Sequence, residues 1–202
     1  MTTAVGLILL AAGGSSRLGH PKQLLPFRGR TLLRHAAETA LLSVCRPVIV
    51  VLGAQPDRLR PELSGLDVRV VDNPGWETGM GSSIRAGLAA LETASPDGAG
   101  LVLMLCDQPL ITPDSLDSLV RAFDDTGSPL VASAYADTRG VPAFFSRALF
   151  PELRALPDAQ GAKPIIMRHA ANAIALPLPA GVWDVDTEAD YNRLFETAAE
   201  EP

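Results

Sequence analysis

Short apolar, β-branched runs at residues 5–11, 48–52, 68–71, 101–105 and 130–134 alternate with stretches whose apolar positions recur at helical spacing. Leu33, Ala36 or Ala37, Ala40 and Val44 form one such stripe, and Ile84, Leu88 and Leu91 another. Strands alternating with helices predict a parallel sheet with crossover helices, an α/β fold. Thr112-Pro113-Asp114 reads as an N-cap, a proline at the first helical position and an acidic first turn, so a helix is expected just beyond Pro109. After residue 135 the pattern is less regular. It suggests an extended pair around 140–145, helices near 146–156 and 162–171, a strand at 182–185 and a last helix from Thr187, opened by a T-x-x-D pattern with Asp190. Repeats and linkers are lacking, so residues 1–202 read as one domain.

The first apolar run passes straight into a Gly/Ser loop, Gly13-Gly14-Ser15-Ser16-Arg17-Leu18-Gly19, and Lys22 follows before the first helical stripe. Glycines free the backbone to turn consecutive N–H groups toward an anion, the serines add donors, and Arg17 and Lys22 add positive charge. The loop is no Walker A motif, because His20-Pro21 stand where Lys-Ser/Thr is required. It is no dinucleotide fingerprint either, because Pro21 and Pro26 delay the helix.

At the end of the 101–105 run, Cys106-Asp107-Gln108-Pro109 places a single carboxylate where burial is costly unless the group is solvated, paired or bound to a cation. Mg²⁺ suits such a site, since it takes one or two carboxylates and completes its shell with water and phosphate oxygens; a turn or capping aspartate is the alternative. In an open α/β sheet, ligands bind beyond the carboxyl ends of the strands, so this residue and the Gly/Ser loop are expected at one edge. Trp183-Asp184-Val185-Asp186-Thr187 supplies two more acids, which share a side if the segment is extended; Asp186, nearer the helix start, is the better cation ligand and a capping role its alternative. Gly79-Met80-Gly81-Ser82-Ser83 leads a glycine-rich loop into the second stripe, where the glycines permit close approach of a ligand and the serines either cap the helix or bond a flat base.

Composition narrows the field. The chain has 202 residues and a formal charge of −6, with no Lys/Arg-rich track, which argues against nucleic acid as a partner but permits a local positive pocket for a small phosphorylated ligand. Two cysteines are too few for a disulfide framework, and Cys106 reads as a small buried thiol. No basic signal-type start and no apolar run of about 18 residues is present, so a cytoplasmic protein without a membrane partner is expected. The three histidines match no metal or triad spacing, and no nucleophilic Ser/His/Asp arrangement is evident.

Residues 10–33 resemble the signature of the MobA-like nucleotidyltransferases, L-A-[AG]-G-x-S-x-R-[ML]-G-x-x-K-x-L-L-P followed by G-x-x-L-L, matched at Leu10, Ala11, Ala12, Gly13, Ser15, Arg17, Leu18, Gly19, Lys22, Leu24, Leu25, Pro26, Gly29, Leu32 and Leu33. C-D-Q-P is similar to the second hallmark of that family's cytidylyltransferase branch, whose aspartate is the main metal ligand; the D-V-D-T segment and G-[ML]-x-x-S-[LI]-x-x-G, matched at Gly79, Met80, Ser83, Ile84 and Gly87, also have counterparts. Two family motifs are altered here: Val141 replaces a frequent His, and Lys163 an Arg that would meet the acceptor's phosphate.

The resemblance implies a Rossmann-like three-layer α/β/α domain with a mostly parallel sheet, of the nucleotide-diphospho-sugar transferase type. It implies Mg²⁺ on Asp107 and Asp186, and transfer of CMP from CTP to the phosphate of molybdopterin or its molybdenum-bound form, with pyrophosphate released. The nucleotide would contact Leu10, Ala11, Ala12, Gly13, Gly14, Ser15, Ser16, Arg17, Lys22, Gly79, Ser82, Ser83 and Asp107, with Arg17, Lys22 and Asp107 at the reacting phosphates and Lys163 toward the acceptor. CTP is preferred to GTP on Ala12, because the guanylyl branch tends to carry a glycine there. Three alternatives stand: a guanylyltransferase, a sugar- or alcohol-phosphate nucleotidyltransferase, and a non-catalytic accessory that binds nucleotide or cofactor beside a molybdoenzyme or its maturation factor.

Overall fold

The computed structural model describes the backbone of residues 4–15 and 18–198, and side chains as far as residue 194. Its elements in chain order are β1 (Val5–Ala11), a small hairpin of β2 (Pro26–Phe27) and β3 (Arg30–Thr31), α1 (Leu32–Leu42), β4 (Val48–Leu52), α2 (Pro56–Leu59) and β5 (Arg69–Asp72). There follow α3 (Met80–Ala94), β6 (Gly100–Leu105), α4 (Pro113–Thr126), β7 (Leu130–Tyr135), β8 (Thr138–Ser146), α5 (Phe150–Arg154), α6 (Lys163–Arg168), β9 (Ile174–Pro177) and α7 (Glu188–Ala198).

Seven strands make one sheet in the order β5-β4-β1-β6-β8-β7-β9, in which β8 runs against both its neighbours and every other pairing is parallel. The central strands are apolar on both faces because both faces are covered. Leu7, Leu9 and Ala11 of β1 pack under α1, α2 and α4 with Leu33, Ala37, Leu59 and Leu116. Ile8, Leu10 and Ala12 pack under α3, α5 and α6 with Ile84, Leu88, Leu153 and Ile165. This is the expected three-layer α/β/α arrangement. Gly87 lets α3 approach the sheet: a Cβ there would lie 2.7 Å from Ile8 Cγ2 and 2.9 Å from Val51 Cγ2.

Local signals set the helix starts. Thr31 caps α1 by accepting from the Arg34 N–H, and Thr112 caps α4 by accepting from the Ser115 N–H at 3.2 Å. Thr112→Ala is expected to cost about 1 kcal/mol, read as a shift of the chemical denaturation midpoint. At α7 the Thr187 N–H donates to Asp190 Oδ2 (2.9 Å) and the Asp190 N–H to Thr187 Oγ1 (3.2 Å), so the T-x-x-D box forms.

The second half departs from the sequence reading in three places. Residues 140–145 belong to a single long strand, β8, clamped antiparallel between β6 and β7. The helices near 146–156 and 162–171 shrink to α5 and α6. The strand expected at 182–185 is absent: residues 179–182 form a 3-10 turn, the Val185 N–H donates to the Asp107 carbonyl at 2.9 Å, and the edge place beside β7 is taken by β9.

Candidate functional site

The carboxyl ends of β1 and β6 lie side by side, with Leu10 paired to Leu105 and the Cys106 N–H donating to the Leu10 carbonyl at 3.2 Å. After β1 the chain crosses to β4 on one flank, whereas β6 occupies the other, so the loops diverge here and leave a crevice. A cavity of about 440 Å³ opens at this point. Leu10, Ala11, Ala12, Gly13, Gly14, Lys22, Gly79, Ser83, Asp107 and Asp186, all expected at the site, line it together. Ser16 and Arg17 lie outside the described residues.

The two glycines of the turn differ in cause. A Cβ on Gly14 would come within 2.9 Å of the Trp76 ring, so packing demands that glycine. A Cβ on Gly13 would meet nothing within 4 Å, and Gly13 is not among the positive-φ residues; it faces the open cavity. Gln23, which the sequence did not single out, holds the turn in place. Fully buried, it donates from Nε2 to the carbonyls of Ala11 (3.0 Å) and Gly13 (2.7 Å) and accepts from Ser15 Oγ at 3.3 Å. Ser15 Oγ also accepts from the Lys22 N–H at 2.9 Å, so that hydroxyl is spent within the loop rather than offered to the cavity.

Lys22 joins the two expected metal ligands. Its ammonium donates to Asp107 Oδ2 at 2.6 Å and to Asp186 Oδ1 at 2.7 Å. Burial alone would lower its pKa, but the Asp107 charge and the hydrogen bonds to both carboxylates outweigh it and hold the lysine above its ordinary value. Asp186 arrives from the far end of the chain because α7 docks on the loop after β1. Val185 and Leu194 pack with Leu18, Leu25, Phe27 and Leu32, and the Tyr191 hydroxyl donates to the Pro26 carbonyl at 2.6 Å. Asp184 lines the same cavity; burial first, then the nearby Asp107 and Asp186 charges, raises its pKa. The Cys106 thiol, pushed up to about 12 chiefly by burial, is inert, as expected of a buried thiol.

Across the cavity the 76–83 segment forms a second wall. Gly79 has φ +129°, and a Cβ there would collide with the Asp158 carbonyl; at Gly81 it would collide with that of Pro157. The glycines thus admit the neighbouring 157–160 loop, and Gly79 also lines the cavity. Asn73, also missed from sequence, donates from Nδ2 to Ser82 Oγ (2.8 Å) and Ser83 Oγ (2.9 Å), and the Ser82 hydroxyl turns back to the carbonyls of Gly75 and Gly79. Ser82 is therefore consumed by its own turn and does not line the cavity; Ser83 does. Neither serine is the N-cap of α3, which is Gly79. Trp76, whose ring lies against Gly14, supplies a flat apolar face. An aromatic side chain inside a glycine-rich loop was the available signal for it.

Lys163 stands apart. It is exposed and lines an adjoining cavity of about 370 Å³, which meets the first at Met80 and Leu105 and also holds Arg139, a cation not anticipated from sequence. His35 is structural, bonding the Pro109 carbonyl at 3.0 Å and packing edge-on to Phe27, while His169 pairs with Glu152.

The donor set suits a hard divalent cation. Among the described residues Asp107 Oδ1 is buried without a hydrogen-bond partner, a costly state that a cation would relieve, and Lys22 Nζ, which donates to Asp107, also donates to Asp186. Among the described residues no trio of His, Cys, Asp or Glu closes on one point, so Asp107 and Asp186 would leave most of the shell to water and ligand oxygens, the habit of Mg²⁺ rather than of a structural zinc. Among the described lining residues, Lys22 shares the cavity with the acids Glu77, Asp107, Asp184 and Asp186, so a bound polyphosphate would need further positive charge.

The MobA-like NTP transferase domain matches residues 7–173. The chain belongs to that family. The chain is 34% identical over 173 residues, 80% of each sequence, to nicotine blue oxidoreductase of Paenarthrobacter nicotinovorans. It is 33% identical over 133 residues, 64% of this chain and 61% of the other, to a probable molybdenum cofactor guanylyltransferase of Rhodopirellula baltica. The structure of Rv0371c from Mycobacterium tuberculosis H37Rv superposes with a TM-score of 0.80 at 34% identity, covering 96% of this chain and 99% of that one. A second structure of Rv0371c is a complex with manganese, with a TM-score of 0.73 at 32% identity over 96% and 100% of the two chains. Among the described residues of this family member no helix is long and apolar enough to cross a membrane.

Proposed function

We propose that this MobA-like transferase moves CMP from CTP to the phosphate of molybdopterin or its molybdenum-bound form, releasing pyrophosphate, with Mg²⁺ as the metal. The observation that carries the reading is the convergence of Gly13 and Lys22, Asp107, and Asp186 on one cavity from three separate parts of the chain. In the reaction, an oxygen of the acceptor's phosphate bonds to the α-phosphorus of CTP as the α–β P–O bond breaks, and pyrophosphate carries off the electron pair. A phosphate is already a competent nucleophile, so no side-chain base is required and catalysis is positioning and charge neutralisation.

Each residue has a part. The Gly13-Gly14 turn, braced by Gln23, brings backbone close to the triphosphate, and Lys22 and Arg17 offset its charge. Ser83, Trp76 and Ala12 bound the space for the nucleoside. Asp107 and Asp186 would hold Mg²⁺, which when bound supplies positive charge to the triphosphate oxygens. Arg139 and Lys163 in the adjoining cavity favour an acceptor that carries a phosphate. The decisive assay incubates the protein with Mg²⁺, molybdopterin and each of CTP, GTP, UTP and ATP. Pyrophosphate release that requires both CTP and the acceptor supports the reading; its absence with every nucleotide overturns it.

The choice of CTP over GTP rests on Ala12, which lines the cavity and is 6% exposed. Ala12→Gly is expected to shift the CTP:GTP ratio of kcat/KM toward GTP by about tenfold or more, the usual worth of one methyl in a pocket; competition kinetics would read it. The relative named as an oxidoreductase favours a second reading, in which the same cleft serves redox chemistry on an organic substrate. That reading predicts no pyrophosphate release.

A further inference from the structure

We infer that Lys22 is an electrostatic latch that couples the two ligands of the cleft: its ammonium holds Asp107 and Asp186 together until a triphosphate draws it away, so that a divalent cation enters with the nucleotide and hardly binds alone. The inference rests on the nucleotidyl-transfer reading and goes beyond it, because that reading requires both ligands but says nothing of their interdependence.

The geometry is specific. One ammonium bonds an oxygen of each acid, at 2.6 Å and 2.7 Å, and therefore stands where a divalent cation shared by the same carboxylates would meet it at close range. Like charges in a partly buried site repel strongly, so both cannot stay. The lysine side chain is only 13% exposed, which limits screening by solvent. Its backbone is pinned, since the Lys22 N–H donates to Ser15 Oγ at 2.9 Å and Gln23 beside it is buried and bonded to the β1 end. What can move is the four-carbon stem, and the Gly13-Gly14 turn that would seat a phosphate lines the same cavity. Among the described residues the latch also leaves Asp107 Oδ1 without a hydrogen-bond partner, so it satisfies Asp107 incompletely and can be exchanged for a ligand that uses that oxygen.

Linkage then makes the effect reciprocal: whatever factor the nucleotide adds to cation affinity, the cation adds to nucleotide affinity. Removing the ammonium while keeping the side chain's length should raise affinity for the cation alone and weaken the coupling.

The test is titration of Mn²⁺ alone, followed by the electron paramagnetic resonance of free Mn²⁺, into wild type, Lys22→Met and Lys22→Arg, with thermal melts to establish that each is folded. Lys22→Met is expected to bind Mn²⁺ alone at least tenfold more tightly than wild type, Lys22→Arg to bind as weakly as wild type, and Lys22→Met/Asp107→Asn to lose the gain. Lys22→Met binding Mn²⁺ no better than wild type would overturn the latch; if that variant does not fold, tighter Mn²⁺ binding by Lys22→Gln decides in the same way. Calorimetry of Mn²⁺-saturated CTP with wild type separates the two levels: failure to bind it would sink the nucleotidyl reading, whereas normal binding with unchanged Mn²⁺ affinity in the lysine variants would sink only the latch.

Discussion

Replacing Asp107 with Asn should lower kcat/KM for nucleotidyl transfer by about 10²–10³, the loss typical when one electrostatic element is removed from a preorganised site. The residue stands at the β6 exit, beside the Leu10–Leu105 pair, and among the described residues its buried Oδ1 has no hydrogen-bond partner. An amide keeps the shape but neither the charge that steadies Lys22 nor the affinity for a hard cation. Folding should survive, because Lys22 retains Asp186 and the substitution leaves no cavity. The melting temperature is expected to change by no more than about 4 °C, roughly 1 kcal/mol for a chain of this size. Steady-state pyrophosphate release with a parallel thermal melt measures both; activity within threefold of wild type would remove Asp107 from the mechanism.

Leu194→Ala is expected to destabilise by about 2–5 kcal/mol, the usual cost of truncating a fully buried leucine, and to do so unevenly. Leu194 is 1% exposed and belongs to the small cluster that docks α7 on the loop after β1. That cluster is separate from the two that fill the faces of the sheet. Loosening it frees Val185, whose N–H is tied to the Asp107 carbonyl, and with it Asp186. In urea, nucleotide binding should therefore vanish at a lower concentration than the far-ultraviolet circular dichroism of the sheet and main helices, while in wild type the two transitions lie closer together. Coincident transitions in the variant would show that α7 and the sheet unfold as one unit.

Much of this architecture was legible in the chain, for physical reasons that also explain the gaps. β1, β4 and β6 are continuous apolar runs because helices bury both their faces, and such runs stand out. β8 was harder. It follows β7 through a two-residue turn, Ala136-Asp137, with both residues at positive φ (45° and 55°), a hairpin usually announced by Asn or Gly. Without that signal the reversal is invisible. β9 is four residues long and ends in Pro177, too short to register, and Val182 to Val185 imitates a strand although its sheet edge is occupied.

The site shows the same division. Gly13, Lys22, Asp107 and Asp186 could be picked out because each sits in a motif whose chemistry is local. Gln23, Asn73 and Arg139 could not, because their roles arise from partners elsewhere in the fold: Gln23 spans from the loop back to the end of β1, and Asn73 ties two serines of the next helix. Ser15 and Ser82 illustrate the converse. Their hydroxyls looked available in sequence, yet the structure spends them on the turns that carry them.

The most direct check on the shared nucleotide and cation cleft is a crystal of the protein grown with Mn²⁺ and CTP, with diffraction recorded on both sides of the manganese absorption edge. An anomalous peak within bonding distance of Asp107 and Asp186, against the triphosphate and beside Gly13, is the expected result. Manganese bound elsewhere, or CTP seated away from the β1 and β6 ends, would contradict it.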